Sequence, residues 1–217
     1  MPLRIKFSRR QKVYMAIYAV LLLVFGIYNT FVFSSYVTGK KAIELSFPLH
    51  KGTYYVLQGG NHVQMNNHNA YPSQKYALDI VKLNTLGMRS NGIYPKQLDR
   101  YMIYGDEVIS PCTGKVLKVR NDAPDLMPPD MDSERPEGNY VALVCENEEA
   151  VIYMAHMQEG SVAVKEGEVV QEGQPIGRVG NSGNAAEPHL HIHAEKDGEG
   201  IPIKFNGKFL VRNNIIR

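Results

Sequence analysis

The chain has 217 residues, of which 44% are hydrophobic and 21% are charged, and its formal net charge at pH 7 is +2. This composition predicts one folded domain of ordinary size with a short extra segment, and it excludes a largely disordered chain. The small net charge gives no support for a nucleic-acid partner, so none is expected.

The N-terminus combines a basic cluster with a long apolar run. The basic residues are Arg4, Lys6, Arg9, Arg10 and Lys12. Residues 13–33 carry no charge, and about 20 apolar residues are enough to cross a bilayer as a helix. The predicted parts are a cytoplasmic tail at 1–12, a transmembrane anchor at 13–34, a linker at 35–45 and an extracytoplasmic domain at 46–217. The positive-inside rule sets this single-pass orientation in the cell membrane.

The alternative for the apolar run is a cleaved signal peptide. Such a peptide has an apolar region of roughly 7–15 residues, followed by a cleavage site of small residues. The run in this chain is longer, and residues 29–36 contain no clear Ala-x-Ala site. The sequence therefore favours an uncleaved anchor.

Beyond Glu44, short apolar or alternating runs are separated by Gly, Pro and Asn. This pattern is typical of a mainly β domain. The predicted strands are 54–57, 77–81, 114–119, 140–145, 150–154, 161–164, 175–179 and 189–195. Residues 93–101 are predicted to hold a short turn or helix, and 164–177 a tight structural β-hairpin.

The segment 121–138 differs from its surroundings because it contains four prolines and six acidic residues. Proline removes ladder donors, so this segment is predicted to be a long loop rather than a central strand. Long loops in compact domains are often walls or lids of functional sites, and a passive insertion is the equal alternative.

Cys112 and Cys145 are the two cysteines of the chain. They are too few for a Cys-rich zinc site. Outside a membrane they could form a disulfide, and equally both could be free and buried. The sequence leaves this choice open.

Three histidines occupy alternate positions in the run HLHIH, at His189, His191 and His193. On a strand, alternate residues share a face, so the three imidazoles project together while Leu190 and Ile192 point into a core. Imidazoles crowded on one face are costly as mere core residues, because each ring has two nitrogens to satisfy. Neutral imidazole is a common metal ligand, so the run indicates a metal site.

A catalytic zinc site uses about three protein ligands and one open position. Asp79 is the best candidate carboxylate, because it lies between apolar residues on a β-like stretch, where an unpaired charge is costly. A buried salt bridge or a turn cap is the alternative role. The remaining ligand would be a nearby histidine, His68 or His62. His156 ends an apolar strand, where a surface position would be the default.

Taken together, these features resemble the lysostaphin/LytM-type zinc metallopeptidases, which cut peptide bonds in bacterial peptidoglycan. The resemblance extends from about Tyr54 to Glu195. Its strongest stretch comprises Tyr153-Met-Ala-His-Met157, Gly160-Ser161, Glu166-Gly167, Gly173-Gln174, Ile176-Gly177, Gly180-Asn-Ser-Gly183 and Pro188-His-Leu-His191. The fold that it implies is an antiparallel β-sheet groove with the metal on its floor.

The resemblance also implies a role for each site residue. His191 and Asp79 would bind zinc, and His156 and His189 would form the catalytic pair. The family usually has a histidine four residues before the aspartate, where this chain has Lys75. A subset of the family carries an upstream Asn-His segment instead, which assigns the third ligand to His68, with His62 as the fallback. At His193 many members have Glu, and this residue either lies behind the ligands or faces solvent.

The function implied is a membrane-anchored zinc metallopeptidase acting on peptidoglycan peptides. The main alternative is a catalytically degenerate relative that binds the wall or activates a partner hydrolase. A phosphocarrier domain is disfavoured by the export signal, because its phospho-donors are cytoplasmic. A lipoyl- or biotin-type carrier is disfavoured because the chain lacks a Met-Lys-Met modification site.

Overall fold

The computed structural model describes residues 6–217, so Arg4 of the basic cluster lies outside the described residues. Helix α1 comprises Arg9–Ser34. Ser8 caps its N-terminus, accepting a hydrogen bond from the Gln11 amide and donating its own amide to the Gln11 side chain. These reciprocal bonds satisfy amides that the first turn cannot pair. The helix is long and apolar enough to cross a membrane, and none of its residues is buried.

The remainder of the described chain is built mainly from short strands. They are β1 (Ile43–Leu45), β2 (Thr53–Gln58), β3 (Leu78–Leu83), β4 (Glu107–Ile109), β5 (Gly114–Arg120), β6 (Asn139–Cys145), β7 (Val151–Met157), β8 (Val169–Val170), β9 (Pro175–Arg178), β10 (Leu190–Lys196), β11 (Glu199–Ile201), β12 (Ile203–Phe205), β13 (Lys208–Phe209) and β14 (Ile215–Ile216). Two short 3-10 helices lie at Asn67–Ala70 and Leu98–Arg100.

One large antiparallel sheet holds most of these strands in the order β14-β2-β3-β10-β7-β6-β5-β8, with β11 paired to β10. There are also two smaller sheets. In one, β1 pairs in parallel with β12, and β12 pairs antiparallel with β13; in the other, β4 pairs antiparallel with β9. The prediction of a mainly β, antiparallel fold preceded by one apolar helix is confirmed. The short turn or helix expected within 93–101 corresponds to the 3-10 helix at Leu98–Arg100.

The centre of the sheet explains the alternation in HLHIH. Leu190 and Ile192 of β10 are fully buried in the hydrophobic core, together with Ile80 of β3 and Met154 of β7. The histidines of β10 therefore share the opposite face. β10 lies between β3 and β7 in the sheet, so side chains of these two strands flank the histidines on this face.

Two predictions about the segment after β7 are wrong. Residues 161–164 form no strand; the amide of Ala163 bonds to the carbonyl of Ile176, but no ladder follows. Residues 164–177 do not form a hairpin either. Val169–Val170 pairs with β5, and Pro175–Arg178 pairs with β4. Of the two Glu-Gly turns in this segment, the second, at 172–173, thus connects strands of two different sheets.

The structure also resolves the state of the two cysteines. Cys112 and Cys145 form a disulfide with a Cα–Cα distance of 5.8 Å. It links the segment before β5 to the end of β6, which pair with each other in the sheet. The bond therefore ties together two chain segments that are separated by 33 positions in the sequence.

Candidate metal centre

Asp79 and His191 face each other across the β3–β10 pair. The Oδ1 atom of Asp79 lies 2.9 Å from Nδ1 of His191. Both side chains are almost completely buried. A carboxylate in such a place is expensive unless it is paired or binds a metal, and here it lies against imidazole nitrogens.

His68 reaches the same carboxylate from the 3-10 helix at Asn67–Ala70. Its Nε2 atom lies 3.0 Å from Oδ1 and 2.9 Å from Oδ2 of Asp79. Asn66 caps this helix by accepting a hydrogen bond from the His68 amide, and its amide nitrogen donates to the Gly60 and Ala77 carbonyls. The position of His68 is thus set by a buried side chain that bridges two parts of the chain.

His189 directs one ring nitrogen toward the carboxylate and anchors the other. Its Nδ1 donates to the Glu187 carbonyl at 2.8 Å, and its Nε2 lies 3.5 Å from Oδ1 of Asp79. His156 is held similarly, because its Nδ1 donates to the Ser182 carbonyl at 2.9 Å. The Nε2 atom of His156 is left available to a substrate or a water molecule, whereas Nε2 of His189 faces the Asp79 carboxylate.

A β-bulge places His156 in the site. On β6 Asn139 pairs with Met157 and Tyr140 pairs with Ala155, so His156 is an extra residue on β7. Its φ is 61°, in the left-handed region, and the Glu137 carbonyl accepts from its amide. Bulges commonly redirect side chains beside active sites. His156 is buried, which excludes the default reading of a surface histidine at a strand end.

The electrostatics of the cluster follow from burial and from the single carboxylate. Burial alone would raise the pKa of Asp79, but the charges of His189 and His68 hold it well below its usual value. Burial lowers the pKa of His156 well below 6.5, and the neighbouring His189 adds to this effect. Burial also opposes protonation of His189, but the Asp79 charge outweighs it and raises that pKa.

This donor set fits a zinc ion. One ligand atom each from His68, Asp79 and His191 lie within 4.8 Å of one another. Two imidazoles and one carboxylate are a ligand set that catalytic zinc sites use. His156, His189 and His191 form a second such group, so the two candidate groups share His191. His68, Asp79 and His191 would hold the metal, with His156 and His189 beside it.

His62, the alternative third ligand, and Lys75, where the family usually has a histidine, make other contacts in the structure. The ring of His62 stacks on Phe31 of α1, with 4.9 Å between ring centroids, and its Nδ1 accepts from the Gln64 amide. His62 is therefore engaged away from the carboxylate. The carbonyl of Lys75 accepts hydrogen bonds from Asn66 and Asn69, on either side of His68. Position 75 thus supports the His68 loop through its backbone.

A cleft of about 460 Å³ opens over the cluster. Its lining residues are Asn67, His68, Tyr71, Gln74, Pro136, Glu137, Ala155, His156, Asn184, His191 and His193. Pro136 and Glu137 end the long loop 121–138, so this part of the loop is a wall of the cleft. Of the two roles that the sequence allows for the loop, a wall of the site and a passive insertion, the structure supports the wall for these residues.

The sequence gives no sign of the two backbone carbonyls that orient His156 and His189. The Ser182 and Glu187 carbonyls act through the backbone, for which the residue type gives no signal. For His193 the sequence leaves two positions open, one behind the metal ligands and one facing solvent.

His193 is only 5% exposed, and its Nδ1 lies 3.0 Å from Nε2 of His191. It therefore lies behind His191, a candidate ligand, and not at the surface.

Residues 96–203 match the family described as Peptidase family M23. The matched segment contains His156, His189 and His191. It begins after His68 and Asp79, so these two candidate ligands rest on the geometry alone.

Three solved structures are similar to this chain. A zinc-containing peptidase from Vibrio cholerae is 20% identical, with a TM-score of 0.45, over 75% of this chain and 39% of that one. The catalytic domain of the antimicrobial peptidase lysostaphin from Staphylococcus simulans is 24% identical, with a TM-score of 0.31, over 48% and 75%. The deep-sea M23 metalloprotease pseudoalterin is 13% identical, with a TM-score of 0.47, over 81% and 99%. The chain spans well under half the length of the Vibrio protein.

Proposed function

Because this chain carries a domain of peptidase family M23 at residues 96–203, we propose that it is a membrane-anchored zinc metallopeptidase that hydrolyses peptide bonds in bacterial peptidoglycan. The observation that carries the proposal is the meeting of three histidines at one buried carboxylate. Nitrogens of His68, His191 and His189 all lie within 3.5 Å of Asp79, and His156 packs against His189.

The ligand roles follow from which atoms face the carboxylate. His68 would bind through Nε2, His191 through Nδ1, and Asp79 through its carboxylate oxygens. Zinc held there would supply Lewis-acid polarisation of the scissile carbonyl and would bring the pKa of a water molecule down to about 7.

His156 and His189 would perform the proton transfer and stabilise the developing oxyanion. Each has its Nδ1 proton fixed on a backbone carbonyl, so its Nε2 is the atom that would accept or donate a proton during the reaction. Burial keeps His156 neutral, which suits a base, whereas the raised pKa of His189 suits a hydrogen-bond donor to an oxyanion.

The substrate class is supported by the resemblance of the segment from Tyr153 to His191 to LytM-type enzymes and by the apolar helix at the N-terminus. With α1 in the cell membrane and the N-terminus in the cytoplasm, the catalytic domain would meet the cell wall close to the bilayer. The site lies in an open cleft of the β-sheet. Such a cleft suits an extended peptide better than a closed cavity would.

The test is zinc content together with peptidoglycan cleavage by the full-length protein in nanodiscs. We expect one tightly bound zinc per chain and release of new amino groups from cross-linked peptidoglycan. His68→Ala and His191→Ala should each lose the zinc and the activity. His62→Ala is the matched control, because that histidine lies on the same loop as His68 but contacts Phe31.

Two results would contradict parts of this proposal. Full zinc occupancy in His68→Ala with loss of zinc in His62→Ala would overturn the ligand assignment. A wild-type protein that binds zinc but releases no amino groups from any wall preparation would favour the degenerate relative, which binds the wall or activates a partner.

A further inference from the structure

The end of α1 is attached to the loop that precedes the candidate ligand His68. The rings of Phe31 and His62 stack within 10° of parallel. The amide of Asn61 donates to the Ser35 carbonyl at 2.9 Å, and its side chain donates to the Val37 carbonyl at 2.7 Å. Ser35 is fully buried.

A second set of contacts fixes the segment after the helix. The Tyr76 hydroxyl donates to the Thr38 carbonyl at 3.0 Å, and Lys40 pairs with Glu199 at 3.3 Å. Residues from both ends of the catalytic domain thus hold the segment at 35–40. The helix is therefore not separated from the domain by a free linker.

The depth of the loop follows from where it touches the helix. A span of about 20 residues that begins at Val13 ends near Val32. Phe31 lies inside this span, so His62, stacked on it, lies at the level of the outer membrane boundary. Exposed apolar side chains lie in the two segments that Asn61 joins here: Tyr36 is 50% exposed, Val37 64% and Val63 49%. We call these three residues the membrane-facing rim.

The charges around the rim suit a lipid surface. Glu44 is the sole acidic residue before Asp79 in the sequence, although the whole chain has 22. Lys40 and Lys41 follow Val37 by three and four positions, and Lys40 is the one that pairs with Glu199. Apolar and aromatic side chains with lysines beside them are typical of surfaces that enter the headgroup region of a bilayer.

We infer that the rim of Tyr36, Val37 and Val63 lies in the outer headgroup region of the membrane and binds the catalytic domain to the lipid surface. This inference rests on the proposed function in one respect, namely that α1 spans the bilayer. Its consequence concerns the site: Asn66, which caps the His68 helix, also bonds to the Gly60 carbonyl within the same loop. The ligand loop would therefore be held at the membrane, and cleavage would be confined to wall peptides next to it.

The test uses the full-length protein in nanodiscs that contain lipids with nitroxide quenchers at shallow or deep positions. Both native cysteines are in the disulfide, so one introduced cysteine gives a single labelling site. An environment-sensitive fluorophore is placed at Val63→Cys. Val169→Cys on β8 is the matched control, because it is also an exposed valine, at 59%. Leu22→Cys reports on the centre of α1.

At position 63 we expect shallow quenching, consistent with insertion about 5–10 Å into the headgroup boundary. Position 22 should be quenched by the deep nitroxide and position 169 by neither. A label at 63 that behaves like the label at 169, while 22 is quenched, would overturn the inference. An unquenched label at 22 would overturn it together with its premise, whatever the zinc content and the peptidase activity.

The same experiment is repeated with Tyr36→Cys, so that one poorly folding variant does not decide the result. Tyr36 should show the same shallow quenching as Val63. Water exposure at both positions in a chain with a quenched α1 would refute membrane contact of the rim. Peptidase activity is recorded separately, so failure of the proposed chemistry stays distinguishable from failure of the membrane contact.

Discussion

Nε2 of His191 lies 3.0 Å from Nδ1 of His193, and the ring of His193 stacks on Tyr153 with 4.9 Å between centroids. If Nδ1 of His191 binds zinc as proposed, the proton of this ring would lie on Nε2, and Nδ1 of His193 would accept it. Burial, aided by the nearby His191, keeps the pKa of His193 well below its usual value. A neutral His193 could be this acceptor, and it would then fix the tautomer of a zinc-binding His191.

Removing this acceptor should weaken zinc binding. We expect His193→Leu to lower zinc affinity by about 10–100-fold, because groups that orient a ligand typically contribute this much. His193→Gln should lose less, since its amide oxygen can accept from His191. The measurement is competition for zinc against a chelator of known affinity.

The control for His193 is His50→Leu. His50 is exposed and pairs with Glu107, away from the cluster. It should leave zinc affinity unchanged. Equal affinity in His193→Leu and the wild type would show that the contact with His191 has no role in metal binding.

The bulge at His156 allows its chemistry to be separated from its backbone. Asn tolerates the left-handed region, so His156→Asn should fold and bind zinc like the wild type but lose about 10²–10⁴-fold in activity. His156→Val should also be destabilised, by about 1–3 kcal/mol, because a β-branched residue is strained at a φ of 61°. Thermal unfolding with and without zinc separates the two effects. Activity retained in His156→Asn would remove this residue from the catalytic pair.

Local patterns predicted the strands of the central sheet closely. The strand expected at 140–145 is observed as Asn139–Cys145, and that at 189–195 as Leu190–Lys196. Alternation also placed Leu190 and Ile192 in the core. Such patterns depend on which face of a strand is buried, and this is encoded within a few residues.

What the sequence did not predict depends on contacts between distant segments. The partner strands of Val169–Val170 and Pro175–Arg178 lie in two different sheets, which turn residues cannot specify. The bulge at His156 follows from the register of β6, and the disulfide from the pairing of β5 with β6. The rings of His156 and His189 are oriented by carbonyls, which every residue carries.

Gly183 holds the loop wall against the segment that orients His156. A Cβ at Gly183 would lie 2.4 Å from the Gly138 nitrogen and 2.6 Å from the Pro136 carbonyl, and its φ is 78°. We expect Gly183→Ala to reduce activity, because Pro136 and Glu137 must move away from the cleft. The matched control is Gly160→Ala, which has a similar φ of 70° but open space around a Cβ.

The control isolates the steric effect from backbone strain. Gly160→Ala should cost about 1 kcal/mol of stability, from the left-handed conformation alone, with unchanged activity per folded molecule. Gly183→Ala should cost more and should lose activity per folded molecule. Equal unfolding free energies for the two variants would show that the wall accommodates the methyl group.

The buried histidines make the stability of the metal-free protein depend on pH. Burial lowers the pKa of His156, His191 and His193 in the folded state. The unfolded chain then binds more protons below about 6.5, so stability falls as pH decreases through that region. His189 acts in the opposite direction, because its raised pKa stabilises the fold at low pH and this contribution is lost as pH rises.

Burial lowers the pKa of three of these histidines and the pKa of only one, His189, is raised. We therefore expect a net loss of stability as the pH falls from about 7 to about 5. Asp79 does not act in this window, because its depressed pKa matters only below its usual 3.8. Thermal unfolding in a chelator should show the decrease, and His193→Gln should make it smaller, because the substitution removes one group whose pKa burial lowers. The exposed His50→Gln should not. A decrease of the same size in His193→Gln and the wild type would mean that this histidine does not resist protonation in the fold.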